Sequence, residues 1–251
     1  MLCAGIDIGS RSIELVLVKN SQIVHKEQTE TGFDPMRGVK KILTGKSYDS
    51  ILATGYGRNL FEVAYETPTV TEIKAYARGV KELLPGHRLI LDIGGQDSKA
   101  IALTESGRVK KFEMNDRCAA GTGKFLEIMA TALGFSLQDF GQESLKAKKA
   151  LQISSMCTVF AESEVTSLIA KGEDPREIAL GLHAAVVRRA VSMLQRISPE
   201  TRDLVFAGGV AQNPCMCQLL QERLKCQVLV PEAPQMVGAL GAVLLAEQDA
   251  G

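Results

Sequence analysis

Two segments of the chain each carry a cysteine directly ahead of a stretch whose pattern predicts a helix. Cys118 lies in residues 115–127 and Cys157 in residues 154–165. Helix N-termini stabilise negative charge through their free N–H groups and the helix dipole, so thiolates there suit an anionic metal site. A cubane iron–sulfur cluster takes four thiolates, twice the number that these segments hold. If both cysteines are ligands, a second copy of the chain supplies the other two.

Two other interpretations of these cysteines are open. Free cysteines are often buried as small apolar side chains, which is a purely structural role. A zinc site would take four ligands from one chain, and Cys215 and Cys217 could complete such a set. Those two lie in a predicted helix over residues 213–224, where positions two apart face different sides. We therefore interpret them as structural, and we expect Cys3 and Cys226 to be buried.

Composition and charge exclude several classes of function. The chain has 251 residues, of which 45% are hydrophobic and 23% charged, as in ordinary globular proteins. Lysine plus arginine and aspartate plus glutamate each number 29, so no net charge draws the chain to nucleic acid. No apolar run reaches the ~20 residues of a membrane helix, and the N-terminus lacks a signal-peptide pattern. We expect a cytoplasmic protein with reduced thiols, no nucleic-acid partner and no membrane association.

A supersecondary pattern occurs twice along the chain. Residues 2–8 form an apolar run that ends in an acidic glycine turn, and strand-like segments follow at 12–19 and 23–25. Residues 88–103 repeat the order of strand, acidic glycine turn and strand, with a further strand over 109–113. Such self-similarity indicates an internal duplication.

Segments between the predicted strands show the periodicity of helices. The predicted helices span 35–44, 70–84, 122–133, 159–171, 178–197, 213–224 and an amphipathic segment at 237–247. Residues 137–152 are predicted to be a connection. Because strands and helices alternate, the predicted fold class is α/β. We place the first domain at residues 1–85, completed by the C-terminal helix, and the second at 86–251.

The acidic glycine turns are candidate phosphate sites. Glycines let the backbone approach phosphate, whose oxygens the N–H groups cradle, and the strand-end carboxylates suit a Mg²⁺ that keeps its water. One such turn is usually an ordinary β-turn, but two, each followed by a hairpin, favour a nucleotide site. A third turn, at Gly208 and Gly209, is suited to lie against a base or ribose. The residues predicted to bind the nucleotide are Gly9, Ser10, Arg11, Ser12, Gly94, Gly95, Asp97, Gly208, Gly209 and Asn213.

Three residues are predicted to act in catalysis: Asp7, Asp92 and Gln96. The two aspartates would hold the magnesium ion, and either Gln96 or Asp97 would orient the hydrolytic water. Asn213 either contacts the nucleotide or caps its own helix.

Nucleotide motifs of two other folds are missing. Residues 121–124 lack the upstream glycine of a P-loop, and no GxGxxG follows the first strand, which disfavours a P-loop kinase and a Rossmann dehydrogenase. The three turns instead resemble those of the actin, sugar-kinase and Hsp70 superfamily of ATPases. That resemblance implies a duplicated α/β fold with ATP or ADP and Mg²⁺ in a cleft between two domains. It makes residues 7–10 and 92–97 the two phosphate loops and residues 208–210 the adenosine loop.

A closer resemblance is carried by residues 92–99, 115–126, 154–165 and 238–242. These segments look like those of the 2-hydroxyacyl-CoA dehydratase activators, the component-A or archerase family, which includes ATPase subunits of benzoyl-CoA reductase. The resemblance implies a homodimer with one 4Fe–4S cluster, held by Cys118 and Cys157 of each chain. ATP hydrolysis would drive one-electron transfer to a 2-hydroxyacyl-CoA dehydratase, with ferredoxin or flavodoxin as the electron donor.

Some positions depart from that family's pattern. The family's first loop commonly continues with serine or threonine and a lysine, whereas this chain has Arg11, Ser12 and Glu14, and Arg11 could supply the missing charge. Tyr76 lies where the family often has a Cys-His-Ala sequence. Such differences leave a second acceptor open beside the dehydratase, because the related reductases of double-cubane cluster proteins share the same ATPase core.

Two rivals belong to other functional classes. One is a small-molecule kinase of the same superfamily, and the other is a regulatory or chaperone-like ATPase whose cysteines sense oxygen. The histidines His25, His87 and His183 share no pattern, so no catalytic triad can be built on them.

Overall fold

A computed structural model describes residues 1–154, 157–199 and 203–249. Within these residues the strands are β1 (Leu2–Ile8), β2 (Ser12–Lys19), β3 (Gln22–Glu30), β4 (Ser50–Thr54), β5 (Leu89–Ile93), β6 (Ser98–Leu103), β7 (Val109–Asn115), β8 (Asp203–Ala207) and β9 (Gln227–Leu229). The α-helices are α1 (Pro35–Leu43), α2 (Arg58–Tyr65), α3 (Glu72–Leu83), α4 (Gly123–Ala132), α5 (Leu137–Ser144), α6 (Thr158–Ala170), α7 (Pro175–Ile197), α8 (Pro214–Leu224) and α9 (Val237–Asp249). Among the described residues, no helix has both the length and the apolar character that a membrane span requires.

The chain divides into two compact units, each built on one sheet. The first unit comprises residues 1–88, 103–110 and 231 onward, and the second comprises 89–102 and 111–230. Within the described residues the first sheet has the order β3-β2-β1-β4 and the second has the order β7-β6-β5-β8-β9.

In the first unit, β1 is covered on both faces, which explains its continuous apolar run. Ala4, Ile6 and Ile8 pack into a cluster with α1, while Cys3 joins a second cluster with α9. The close approach of α9 requires a glycine in β1, because a Cβ at Gly5 would lie 2.2 Å from the Ala239 carbonyl oxygen. The sequence predicts α9 as amphipathic, but its residues are buried on nearly all sides.

In the second unit, β5 is antiparallel to β6 and parallel to β8. The core joins this sheet to α4 and to the 23-residue α7. Asp174 caps α7 by accepting a hydrogen bond from the Arg176 N–H at 2.8 Å, and Pro175 opens the first turn, as the sequence predicts.

The prediction of a plain connection over residues 137–152 is wrong for its first half, which forms α5. Ser136 caps this helix by accepting a hydrogen bond from the Asp139 N–H at 3.1 Å. Phe140 is buried and holds the short helix on the core. The run of lysines that follows masked the cap signal in the sequence.

Candidate functional site

The first acidic turn joins β1 to β2. Asp7 is paired in register with Glu14 across this hairpin, and their side chains are buried to the same degree, with 5% and 4% exposure. Thr31, the residue after β3, holds the turn: its hydroxyl donates to the Gly9 carbonyl oxygen at 2.7 Å, and its N–H donates to the Arg11 carbonyl oxygen at 3.1 Å. Ser10 and Arg11 lie in the turn itself, Arg11 being exposed, and Ser12 begins β2.

Glycines pack against both oxygens of the Asp7 carboxylate. Gly55 follows β4, has a φ of +95°, and would place a Cβ 2.4 Å from Oδ1. Gly238, at the start of α9, would place a Cβ 2.0 Å from Oδ2. The carboxylate thus lies at the N-terminus of a helix, where free N–H groups stabilise negative charge. No other residue type at these two positions would leave it in place.

The second acidic turn joins β5 to β6 and contains a buried charge cluster. Asp92 is paired in register with Lys99, and both side chains are 1% exposed. Lys99 Nζ lies 3.1 Å from Asp92 Oδ2 and 2.8 Å from Asp97 Oδ2. One ammonium therefore holds two carboxylates, each at one end of the turn.

The turn that follows β8 packs against the Asp92 carboxylate. Gly208 has a φ of +81° and a ψ of 172°, a conformation that is essentially limited to glycine. A Cβ there would lie 2.3 Å from Asp92 Oδ1 and 2.6 Å from the Ile93 carbonyl oxygen. A Cβ at Gly209 would instead meet nothing within 4 Å. Gly208 therefore fits the carboxylate, and Gly209 presents open backbone.

The remaining residues of the second turn differ in how accessible they are. Gly94 and Gly95 are half-buried, and the Gly94 N–H donates to the Asp97 carbonyl oxygen at 3.0 Å. The Asp97 carboxylate is held by Lys99, whereas the Gln96 side chain is exposed.

Asn213 caps α8, which is one of its two predicted roles. Its Oδ1 accepts from the Met216 N–H at 3.2 Å, and its Nδ2 donates to His183 Nε2 at 3.0 Å. His183 Nδ1 in turn donates to the Ala179 carbonyl oxygen at 2.8 Å. Burial lowers the pKa of His183 to about 4, so the ring is neutral and Nε2 can accept. His183 is thus a core residue that positions Asn213.

Side-chain hydrogen bonds stabilise the turn that contains Cys118. Asn115 Nδ2 donates to the carbonyl oxygens of Cys118 at 2.9 Å and of Ala120 at 3.2 Å. Arg189, on α7, donates to Asn115 Oδ1 at 3.1 Å. The Thr122 hydroxyl donates to the Ala119 carbonyl oxygen at 2.6 Å. The Cys118 side chain is half-buried at the edge of this turn.

The Cys118 turn is also bonded to the second acidic turn. The N–H groups of Gly123 and Lys124, at the start of α4, donate to the carbonyl oxygens of Gly94 at 2.9 Å and Gly95 at 2.8 Å. A Cβ at Gly123 would lie 3.0 Å from the Gly94 carbonyl oxygen. Two backbone hydrogen bonds therefore connect the candidate phosphate turn to the cysteine segment.

Cys157 is exposed and forms the N-cap of α6. Val159 and Phe160, in the first turn of that helix, are also exposed, at 68% and 66%. Ser155 and Met156 of the same segment lie outside the described residues.

The other cysteines are poor ligands. Burial raises the pKa of Cys215 to about 12 and also raises the pKa of Cys217, whose thiol donates to the Ala211 carbonyl oxygen at 3.3 Å. Cys3 is buried as expected, but Cys226 is only half-buried. The described residues contain no group of three or more His, Cys, Asp or Glu side chains arranged to hold a metal. They therefore contain no single-chain zinc site built from Cys118, Cys157, Cys215 and Cys217.

Three residues that support the site are not predicted as site residues from the sequence: Lys99, Asn115 and Arg189. Lys99 follows Asp92 by seven positions across a tight hairpin, so strand register could have paired them. Asn115 precedes Cys118 by three positions, a spacing at which asparagine side chains bond nearby backbone. Nothing local to Arg189 marks it, because its contact spans 74 positions.

Comparison with known proteins supports this fold and this family. A ROK family glucokinase from Streptomyces griseus matches the chain with a TM-score of 0.60 at 14% identity, covering 99% of this chain and 100% of its own, which shows a shared fold. The activator of the 2-hydroxyisocaproyl-CoA dehydratase from Clostridium difficile, solved with bound ADPNP, matches with a TM-score of 0.90 at 38% identity, covering 100% of this chain and 96% of its own. These likenesses confirm the predicted actin-like α/β ATPase fold.

Relatives found by sequence include activators as well. The activator of lactoyl-CoA dehydratase from Anaerotignum propionicum is 41% identical over 259 residues, covering 100% of this chain and 99% of its own length. Residues 4–246 match the model of the BadF/BadG/BcrA/BcrD ATPase family. The resemblance to the dehydratase activators is thereby confirmed, and the chain belongs to the BadF/BadG/BcrA/BcrD ATPase family.

Proposed function

We propose that the protein is an ATP-dependent one-electron donor to a 2-hydroxyacyl-CoA dehydratase or a related iron–sulfur protein. It would work as a homodimer that holds one 4Fe–4S cluster through Cys118 and Cys157 of each chain, with ferredoxin or flavodoxin as its electron donor. The observation that carries the proposal is the pair of hydrogen bonds from Gly123 and Lys124 to Gly94 and Gly95. A change at the candidate phosphate turn reaches the Cys118 segment through them.

The turns suit Mg-ATP. In each unit a strand-end carboxylate, Asp7 or Asp92, lies against a glycine whose Cβ would displace it, so its position is fixed. Mg²⁺ prefers such carboxylates and retains part of its water shell. Gly94, Gly95 and Gly209 offer backbone that the phosphates and the adenosine can approach closely. Gln96 is exposed in the second turn and suited to orient the attacking water.

The cysteines suit a cluster shared between two chains. Cys157 caps α6, whose free N–H groups stabilise an anionic group bound there, and Cys118 lies in a turn of small residues that leaves room for inorganic sulfide. Among the described residues, no larger set of metal ligands gathers around either cysteine. The exposed Val159 and Phe160 provide an apolar surface beside Cys157 that a second chain can cover.

Residues around the Cys118 turn have defined roles in this mechanism. A bound 4Fe–4S cluster supplies a one-electron carrier. Asn115 and Arg189 hold the Cys118 turn, and the Gly94–Gly95 carbonyl groups anchor the start of α4. Binding and hydrolysis of ATP shift the phosphate turn, and α4 moves with it. The useful work is electron delivery, so the isolated protein should hydrolyse ATP slowly.

Iron analysis under anaerobic conditions tests the cluster. We expect the purified protein to be brown, dimeric and loaded with about two iron atoms per chain. Cys118→Ala and Cys157→Ala should each lose the iron and the dimer's colour, while Cys226→Ala, which changes a half-buried thiol outside these segments, should keep both. Equal iron in all three variants would contradict the ligand assignment.

Reduction of a partner tests the function itself. Purified protein, Mg-ATP and dithionite are mixed with candidate dehydratases and double-cubane cluster proteins, and partner reduction is followed by absorbance. We expect ATP-dependent reduction that Asp7→Asn and Asp92→Asn abolish. A colourless, iron-free protein that phosphorylates a sugar or an acid would instead establish a kinase. Partner reduction that survives in Cys118→Ala would exclude the electron-donor role.

A further inference from the structure

A groove in the second unit runs between β7 and α7 beside the Cys118 turn. It encloses a cavity of about 440 Å³. Its walls include Glu113 and Asn115 from the strand and Arg188, Arg189 and Arg196 from the helix. None of the nucleotide turns contributes to this lining. The groove is therefore a feature that nucleotide binding does not account for.

The groove carries a positive charge that the protein does not neutralise. Arg196 is paired with Glu113, whose two carboxylate oxygens accept from Nε at 2.7 Å. Arg188 donates to the Ile153 carbonyl oxygen at 3.3 Å and Arg189 donates to Asn115, both of them neutral acceptors. Among the described residues, no carboxylate lies within ion-pair distance of Arg188 or Arg189.

A fourth cation extends the same face. Lys111, two positions before Glu113 on β7, donates from Nζ to the Arg196 carbonyl oxygen at 2.6 Å. The face therefore holds four cationic side chains and one carboxylate, and the adjacent exposed Asp116 and Arg117 cancel each other. The whole chain has a net charge of zero, so this excess is local. Local fields of this kind steer charged partners and raise association rates.

The groove adjoins the Cys118 turn, and Asn115 belongs to both. Asn115 lines it and donates to the Cys118 carbonyl oxygen at 2.9 Å, while Arg189 lines it and holds Asn115. A partner seated on this face would lie one side chain away from the Cys118 turn. Electron transfer needs such proximity, and transient redox complexes bury small, charged surfaces rather than large apolar ones.

We propose that this groove docks the carboxylate-rich face of the electron-carrier protein that reduces the Cys118 site. The inference rests on the proposed function and specifies where its electron enters. One electron leaves the reduced carrier, which is thereby oxidised, and arrives at the iron–sulfur site. No covalent bond forms or breaks and no proton is transferred.

Charge-removing variants test the docking site. Arg188→Gln and Lys111→Gln change cations of the groove, and Arg223→Gln, an exposed arginine on α8, is the matched control. Stopped-flow absorbance measures cluster reduction by reduced flavodoxin as a function of ionic strength, and biosensor binding measures the Kd of the complex. At low salt we expect each groove variant to slow reduction and raise the Kd roughly three- to tenfold, with a flatter salt dependence. The control should match the wild type, and Arg188→Lys should restore the rate.

Other outcomes would overturn the proposal. It fails if groove variants and control behave alike, or if inorganic phosphate binds the groove without competing with flavodoxin. It also fails if Arg188→Gln shifts the dimer equilibrium, because the groove would then be an interface between copies of this chain. Iron content and the final extent of reduction by dithionite separate this failure from that of the proposed function: a protein that dithionite cannot reduce lacks the redox site itself.

Discussion

The Asp7 turn of the first unit and the Asp92 turn of the second are built alike but differ in charge. In both, an aspartate ends a strand, and a glycine that follows the parallel neighbouring strand packs against its carboxylate. Across the first hairpin Asp7 is opposite Glu14, whereas across the second Asp92 is opposite Lys99. Backbone geometry therefore sets where each carboxylate lies, and the cross-strand partner sets how much of its charge remains for a ligand.

Among the variants that distinguish the two turns, replacement of the buried Lys99 should have the largest effect on stability. Lys99→Met leaves Asp92 and Asp97 facing each other without a cation, and we expect a loss of about 3–5 kcal/mol in the free energy of unfolding, since uncompensated buried charge is costly. Urea unfolding at pH 7 measures it. Lys171→Met, an exposed lysine at the end of α6, is the control and should change the free energy by less than about 0.5 kcal/mol. A loss below 1 kcal/mol for Lys99→Met would contradict the charge assignment.

Neighbouring glycines should respond differently in the turn after β8. Gly208→Ala forces a Cβ against Asp92 and the Ile93 carbonyl group in a glycine-only conformation, so we expect a loss of roughly 2–4 kcal/mol in the free energy of unfolding. Gly209→Ala meets open space and should leave stability within about 0.5 kcal/mol. If Gly209 lies against the nucleotide, this second variant should still weaken ADPNP binding, which calorimetry can measure. Equal stability losses would show that the turn is differently shaped.

The second unit should also be the more sensitive to acid, through His183. Its pKa in the folded protein, about 4, is lower than in the unfolded chain, about 6.5, so protons favour unfolding. The contribution to stability is complete well above pH 6.5 and is lost as the pH falls toward 4, by about 2.5 kcal/mol at pH 4.5. His183→Gln should lose less stability between pH 7 and pH 4.5 than the wild type does, as measured by urea unfolding at both values. Parallel curves for the two proteins would argue against a neutral buried imidazole.

The smallest effect on stability is expected for Glu14, the residue opposite Asp7 in the first hairpin. Glu14→Gln keeps the shape of the side chain and can still accept from Gln28, whose Nε2 now donates to it at 3.1 Å. We expect a change below about 1 kcal/mol in the free energy of unfolding, because the amide has nearly the same shape and keeps an oxygen that accepts the hydrogen bond. The affinity for Mg-ADPNP should fall more than the affinity for metal-free ADPNP if Glu14 contributes to the cation's field, and titration calorimetry can compare them. Equal changes in both affinities would assign the cation to Asp7 alone.

The sequence predicts best the elements that depend on local signals, such as hairpin turns and helix caps. The two hairpins follow from strand and turn patterns, and α7 and α8 begin where Asp174-Pro175 and Asn213-Pro214 indicate. The helix α2 has no such signal, because it buries only Phe61 and leaves Leu60 and Val63 exposed. Its pattern therefore does not mark one apolar face.

Sequence motifs mark the candidate site residues, but they do not mark the side chains that hold those residues in place. Asp7, Asp92 and the glycines are marked by their motifs, whereas the bond from Arg189 to Asn115 and the bond from Asn213 to His183 join distant segments. Their partners depend on how helices pack on the sheet, which spacing along one chain does not encode. The predicted functions of the site residues stay predictions until the variants above are measured.

The packing of α9 on β1 has a consequence for biosynthesis. The first unit is closed by residues near the far end of the sequence, as in the bond from the Ser21 N–H to Glu247 Oε1, which spans 226 positions. The ribosome releases residues 89–230 before it releases α9, so the second unit can fold while the first still lacks a central helix. We therefore expect the second unit to fold first during synthesis, against the usual N-terminal-first order. Until Gly238 arrives beside Asp7, the carboxylate of the first acidic turn lacks one of the two glycines that pack against it, whereas the second acidic turn already has its full set of neighbours.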